Sequence, residues 1–98
     1  MTTPDGRYII VDGVPWRASD PSLDPEHRQE LVNELMSARR AIRGAQGDAL
    51  QAARDRVHAA KVALGERGEV WWDDEARDYT RFKVENTPYA DWWATQAE

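Results

Sequence analysis

The 98 residues suffice for one small domain, and with no Cys and only two His they exclude a disulfide framework, a thiolate nucleophile and cysteine-based zinc or iron–sulfur sites. Five Leu, three Ile, seven Val and one Phe are few for a folded chain, but five Trp, three Tyr and 14 Ala supply apolar surface at a net charge of only −5. Met1-Thr2-Thr3-Pro4-Asp5-Gly6 has neither the basic nor the apolar region of a signal peptide, and no apolar run nears the ~20 residues of a membrane span. A soluble, cytoplasmic protein is expected.

The first element reads as a β-hairpin over about 7–17. Tyr8-Ile9-Ile10-Val11 is β-branched and aromatic, Asp12-Gly13 is a favoured two-residue type I′ turn, and Val14-Pro15-Trp16 returns. Pro15 cannot donate to a ladder, so its strand is expected to be an edge or very short. Ser19-Asp20-Pro21-Ser22 is a turn cluster.

A helix over about 25–43 follows, with Asp24 as N-cap, Pro25 in the first helical position and Glu26 at the positive end of the dipole. Leu31, Leu35, Ala38 and Ile42 recur on one face, and Gly44 and Gly47 bracket the stop. A second helix over about 48–64 carries the seam Leu50, Ala53, Val57, Ala60 and Leu64, and Gly65 and Gly68 end it. The short connection makes the two antiparallel neighbours. Facing Ile42 with Leu50 then sets Leu35 against Val57, Ala38 against Ala53 and Leu31 against Ala60, so every seam residue meets an apolar partner. Val32, Met36 and Val62 lie off the seam and need a cover, for which Trp71, Trp72, Tyr89, Trp92 and Trp93 are the aromatic candidates, as cover or as contact residues.

Residues 66–86 read as irregular or extended, with weak alternation from Tyr79 to Val84 that fits a strand or an arm. Thr87 as N-cap and Pro88 behind it open a short helix over about 88–96. The fold class is mainly α with a small β part: an antiparallel two-helix hairpin, an N-terminal β-hairpin and an aromatic-rich C-terminal segment ending in a short helix. One domain over 1–98 is expected.

Asp5-Gly6-Arg7-Tyr8-Ile9 with Trp16-Arg17, Leu31-Val32-x-x-Leu35-Met36-x-Ala38-Arg39-Arg40-Ala41, the stretch Ala59-Ala60-Lys61-x-Ala63-Leu64-Gly65-Glu66-Arg67-Gly68 before Val70-Trp71-Trp72, and Asn86-Thr87-Pro88-Tyr89-Ala90-Asp91-Trp92 together resemble a group of short bacterial proteins labelled as Tol-type biopolymer transporters. The resemblance covers nearly the whole chain and brings no functional residue with it.

Catalytic and ligand-binding patterns are thin. His27 and His58 fall about 9–10 Å apart along the helical pair and point differently, so they share no site, and His27 reads as the end of the apolar seam, opposite Leu64. Asp73, Asp74, Glu75 and Asp78 lack the glycine of a calcium loop and read as a solvated acidic turn. Gly65 and Gly68 are followed by no Gly-Lys-Ser/Thr, so they form no phosphate loop. No catalytic residue, metal ligand or cofactor is assigned, and no enzyme is expected.

The informative feature is electrostatic. Arg39, Arg40 and Arg43 end the first helix, and Arg54 and Arg56 lie two turns into the second, so antiparallel packing gathers all five at one end, offset only by Asp48 and Asp55, as a candidate contact surface. Arginines late in a helix suit its dipole, but Arg54 and Arg56 gain nothing from an early position. Residues 66–98, by contrast, hold four basic and nine acidic groups. The split suggests a small protein-interaction module, an adaptor or regulatory subunit, with an unknown and acidic protein partner or weak self-association. The alternative is nucleic acid or another polyanion on the arginine tip, which a pI near 5.0 disfavours. No membrane contact is expected.

Overall fold

The computed structural model describes residues 1–96. It is mainly α with a small β part, in the chain order β1 (Tyr8–Val11), β2 (Val14–Arg17), α1 (Pro25–Ile42), α2 (Gly47–Leu64), a 3₁₀ turn at Val84–Asn86 and α3 (Ala90–Gln96). The chain forms two compact units. One is continuous, Asp20–Trp71; the other joins Met1–Ser19 to the segment from Trp72 onward.

The continuous unit is the helical hairpin. Asp24 caps α1 by accepting the His27 amide at 3.2 Å, with Pro25 in the first turn. At the other end Arg43 turns to an extended conformation, one residue before the expected limit, and Gly44 follows in the left-handed region. In α2 the C-terminus is closed by a Schellman motif, in which the Gly65 amide donates to Val62 O at 3.0 Å and the Glu66 amide to Lys61 O at 2.9 Å. Gly65 has φ +86°, and a Cβ there would stand 3.0 Å from both Asp20 Cβ and Trp71 Cδ1. The Asp20 amide donates to Leu64 O at 2.8 Å, so both ends of this unit meet where α2 stops.

The seam lies inside, as the spacing requires. Leu35, Ala38, Ala53, Ala60 and Leu64 are buried, while Leu31, Ile42, Leu50 and Val57 are half-buried beside them. Leu35, Ala60 and Leu64 form the centre, with Leu23, Leu31, Val32 and Val57 packed against it. His27 does not close the seam. Its side chain is exposed, with Nδ1 3.8 Å from Glu30 Oε2, and Leu23, brought in by the capped turn, fills that end. Met36 and Val62 remain exposed.

The discontinuous unit is built on the β-hairpin. Asp12 and Gly13 both have positive φ, as a type I′ turn demands, and the register pairs Tyr8 with Arg17, Ile9 with Trp16, Ile10 with Pro15 and Val11 with Val14. Both sheet edges are covered. On the β1 side the Thr3 amide donates to Tyr8 O at 2.9 Å and the Ile10 amide to Met1 O at 2.7 Å; on the β2 side the amides of Arg81 and Val84 donate to Pro15 O and Gly13 O at 3.0 and 2.9 Å. The stretch Tyr79 to Val84 is thus neither strand nor free arm, but a run of turns that supplies donors to the strand proline leaves without one of its own.

Tyr8 is the fully buried centre. Its ring meets Trp72 and Tyr89 edge-on at 5.7 and 5.6 Å, and its hydroxyl accepts the Tyr79 amide at 2.8 Å while reaching Asp78 Oδ1 at 3.2 Å. Burial pushes the Tyr8 phenol up to about 12. The last helix starts at Ala90 rather than 88. Thr87 still caps the turn before it, accepting the Tyr89 amide through Oγ1 at 3.2 Å and donating to Val84 O at 2.6 Å.

Candidate interaction surfaces

Arg56 does not belong with the other tip arginines. Its guanidinium turns across the pair onto Glu34, with Nε and Nη2 donating to the two carboxylate oxygens at 3.0 and 2.8 Å and Nη2 also reaching Ser37 Oγ at 3.1 Å. This fork pairing holds the Glu34 carboxyl below its usual range. Arg39, Arg40, Arg43 and Arg54 are exposed, and among the described residues none of them enters an ion pair.

The Glu34–Arg56 contact also fixes which flanks of the two helices lie together. Glu34 and Arg56 each precede a seam residue, Leu35 and Val57. In an antiparallel pair at about 100° per residue, positions that precede the seam on both helices share one side, and positions that follow it share the other. Val32, Arg39 and Arg43 follow Leu31, Ala38 and Ile42 on α1; Arg54, His58 and Lys61 follow Ala53, Val57 and Ala60 on α2. Arg67 comes to this second side as well, its Nη1 3.4 Å from His58 Nδ1. The helical carboxylates Glu26, Glu30, Glu34, Asp48 and Asp55 fall on the first side or on the outer backs. One side therefore carries the Glu34–Arg56 pair that bridges the helices, and the other carries Arg39, Arg43 and Arg54 with no helical carboxylate among the described residues. Arg40 sits on the back of α1, away from both.

The aromatic candidates divide. Trp72 and Tyr89 are core residues of the discontinuous unit. Trp72 packs on Tyr8, donates Nε1–H to Ala76 O at 2.8 Å and receives the Arg7 guanidinium over its ring at 4.7 Å. Tyr89 donates to Asp5 Oδ2 at 2.6 Å. Burial and the Asp5 charge push the Tyr89 phenol up; burial of Asp5 opposes its own charge, but hydrogen bonds from Tyr89, the Arg7 amide and Thr3 outweigh that and hold its carboxyl below the usual value. Trp71 is half-buried and lies against Gly65. Trp92 and Trp93 are half-buried, with ring centroids 6.2 Å apart.

The acidic run is divided as well. Asp74 is engaged by the Arg7 guanidinium, which holds its carboxyl low, while Asp78 accepts from Thr80 and from Tyr8 and lies 3.9 Å from Arg17. Among the described residues no three His, Asp or Glu side chains gather to hold a metal ion, and no helix is long and apolar enough to cross a membrane.

One surface goes unnoticed in the sequence. Because Tyr8-Ile9-Ile10-Val11 is apolar at every position, alternation buries Tyr8 and Ile10 and turns Ile9 and Val11 outward beside Trp16, at 43, 51 and 43% exposure. The Arg81 guanidinium lies 5.9 Å from the Trp16 ring and caps one part of it. Comparison with known protein families, curated proteins and solved structures finds no match for this chain.

Proposed function

We propose that the chain is a small non-catalytic protein-interaction module, an adaptor or regulatory subunit, that meets an acidic partner through the arginine tip of its helical hairpin. The observation that carries this is the state of four guanidiniums: Arg39, Arg40, Arg43 and Arg54 are exposed and outside any ion pair among the described residues, in a unit whose remaining arginine at that end is fully engaged. Exposed charges contribute little to folding, so an excess of these four arginines over Asp48 and Asp55 at that end supports a role in steering a partner of opposite sign rather than in holding the fold.

The test is capture from the native cell by the tagged chain and by a triple variant, Arg39→Glu/Arg40→Glu/Arg54→Glu, with helix content checked by circular dichroism. The variant should fold like the wild type and lose its partner. Equal capture by both chains would remove the arginine tip from the interaction. The same four cations also suit a polyanion; that reading requires retention on heparin that falls steeply with salt and capture that nuclease abolishes.

A further inference from the structure

We infer that the outward face of the β-hairpin docks a second copy of this chain, the two hairpins stacking face to face with their strands reversed about a two-fold axis. Ile9 lies opposite Trp16 and Val11 opposite Val14, so all four side chains turn to the same side of the sheet. Ile9, Val11 and Trp16 are exposed there, and Val14 is half-buried. The edges offer a partner no ladder. Thr2 bridges Ile9 along β1, and the Arg81 and Val84 amides take the Pro15 and Gly13 carbonyls along β2. A partner of this hairpin therefore meets its face.

Charge complementarity selects the copy. The exposed Arg81 lays its guanidinium beside the Ile9–Trp16 row, and Asp12 stands exposed in the turn beyond the Val11–Val14 row. Neither enters an ion pair among the described residues. A partner of one sign answers one of them and repels the other; a second copy answers both. A two-fold axis in the plane of contact, across the strands and midway between the rows, lays Ile9 over the second copy's Val11 and Trp16 over its Val14, large on small. The rows lie ~7 Å apart at ~3.4 Å per residue, and the turn comes about one residue further on. The same rotation therefore sets Asp12 just outside the second copy's Ile9–Trp16 row, where Arg81 reaches it. An axis along the strands would instead bring Asp12 against Asp12. The three exposed side chains leave on the order of 300 Å² of apolar surface per copy, the Trp contributing most. Two copies then bury ~600 Å² before their polar rims are counted, short of the ~1,200 Å² of a stable interface. The dimer is accordingly weak and reversible, with a dissociation constant on the order of 0.1–1 mM.

Sedimentation equilibrium of the full chain, from about 20 μM to 2 mM, reads the association directly. It should fit monomer and dimer with nothing larger, because a two-fold contact closes on itself. Ile9→Thr/Val11→Thr keeps β-branched side chains on the strand and should weaken the dimer about tenfold or more, each change counting twice across the axis. Asp12→Asn keeps a residue suited to the turn, removes both ion pairs and should weaken the dimer about three- to tenfold. Adding Arg81→Gln to Asp12→Asn should weaken it no further, since the opposing charge is already gone. Near-ultraviolet circular dichroism of the dilute variants checks that the hairpin is kept. In a chain without Cys, a short bis-maleimide should join Ile9→Cys to Val11→Cys chains in preference to either variant with itself. The triple reversal Arg39→Glu/Arg40→Glu/Arg54→Glu should leave the dimer unchanged, which separates this face from the arginine tip. A chain that stays monomeric to ~2 mM, species larger than the dimer, indifference to the threonine pair or to Asp12→Asn, same-site cross-links in excess, or loss of the dimer in the triple reversal would overturn the inference.

Discussion

Leu35→Ala tests the helical seam directly. Leu35 is buried at the centre of the continuous unit against Ala60 and Leu64, with Leu23, Leu31, Val32 and Val57 around them. The substitution removes three carbons, which at ~0.8 kcal/mol per buried CH₂ is about 2.4 kcal/mol of transfer free energy. A cavity contribution adds to this where the surroundings hold still, giving ~2–5 kcal/mol for fully packed sites. Here four of the six neighbours are only half-buried and two helices can close on the gap, so the low end applies, about 2–3 kcal/mol. Urea unfolding followed by helical circular dichroism reads it as a lowered midpoint with an unchanged slope. A loss below ~1 kcal/mol would refute the seam, because Leu35 could then not occupy a closed core.

Gly65→Ala should cost about 1–2 kcal/mol for the left-handed conformation alone, and more once its Cβ displaces Asp20 and Trp71; thermal melting with unchanged low-temperature helicity checks it. Tyr8→Phe should cost ~1–3 kcal/mol, because the Tyr79 amide loses its acceptor inside the discontinuous unit, and the loss should appear in the near-ultraviolet signal. At high pH the Tyr8 phenol is favoured neutral in the fold, so its contribution is complete below pH 10 and disappears between 10 and about 12. At low pH the depressed carboxyls of Asp5, Asp74 and Asp78 contribute above their ordinary 3.8, and that contribution is lost as pH falls through their lower folded values. Trp fluorescence across both limits should stay flat between about pH 5 and 9; a transition within that window would contradict these assignments.

The helical hairpin was legible because its information is local. Apolar spacings of three and four, an Asp-Pro start and Gly stops are set within a few residues, and the antiparallel register followed from a single pairing of Ile42 with Leu50. The β-hairpin was legible through Asp12-Gly13 set between the β-prone runs Tyr8–Val11 and Val14–Trp16. What stayed hidden depends on residues far apart in the chain. Tyr8 finds Asp78 and Tyr79, Arg7 finds Asp74, and Asp5 finds Tyr89, at separations that leave no periodicity to read. The arginine tip was half legible. Spacing placed five arginines at one end, but nothing in it said that Arg56 would cross to Glu34 while Arg54, two residues earlier, would lie on the other side.

The meeting of Asp20, Gly65 and Trp71 has a consequence for the order of assembly. The discontinuous unit cannot close until residues from 72 onward exist, although its hairpin leaves the ribosome first. Bringing together two chain ends some 50 residues apart costs about 3–4 kcal/mol of loop entropy in a flexible chain. The helical hairpin forms from sequence-local contacts, which is the faster kind of folding. Once Asp20 is bonded to Leu64, the two outgoing segments start from neighbouring points and that entropy has already been spent within the helices. Helix formation is therefore expected to precede burial of Tyr8 and Trp72 in stopped-flow refolding, and a variant that loosens the junction, such as Gly65→Ala, should slow the second step more than the first.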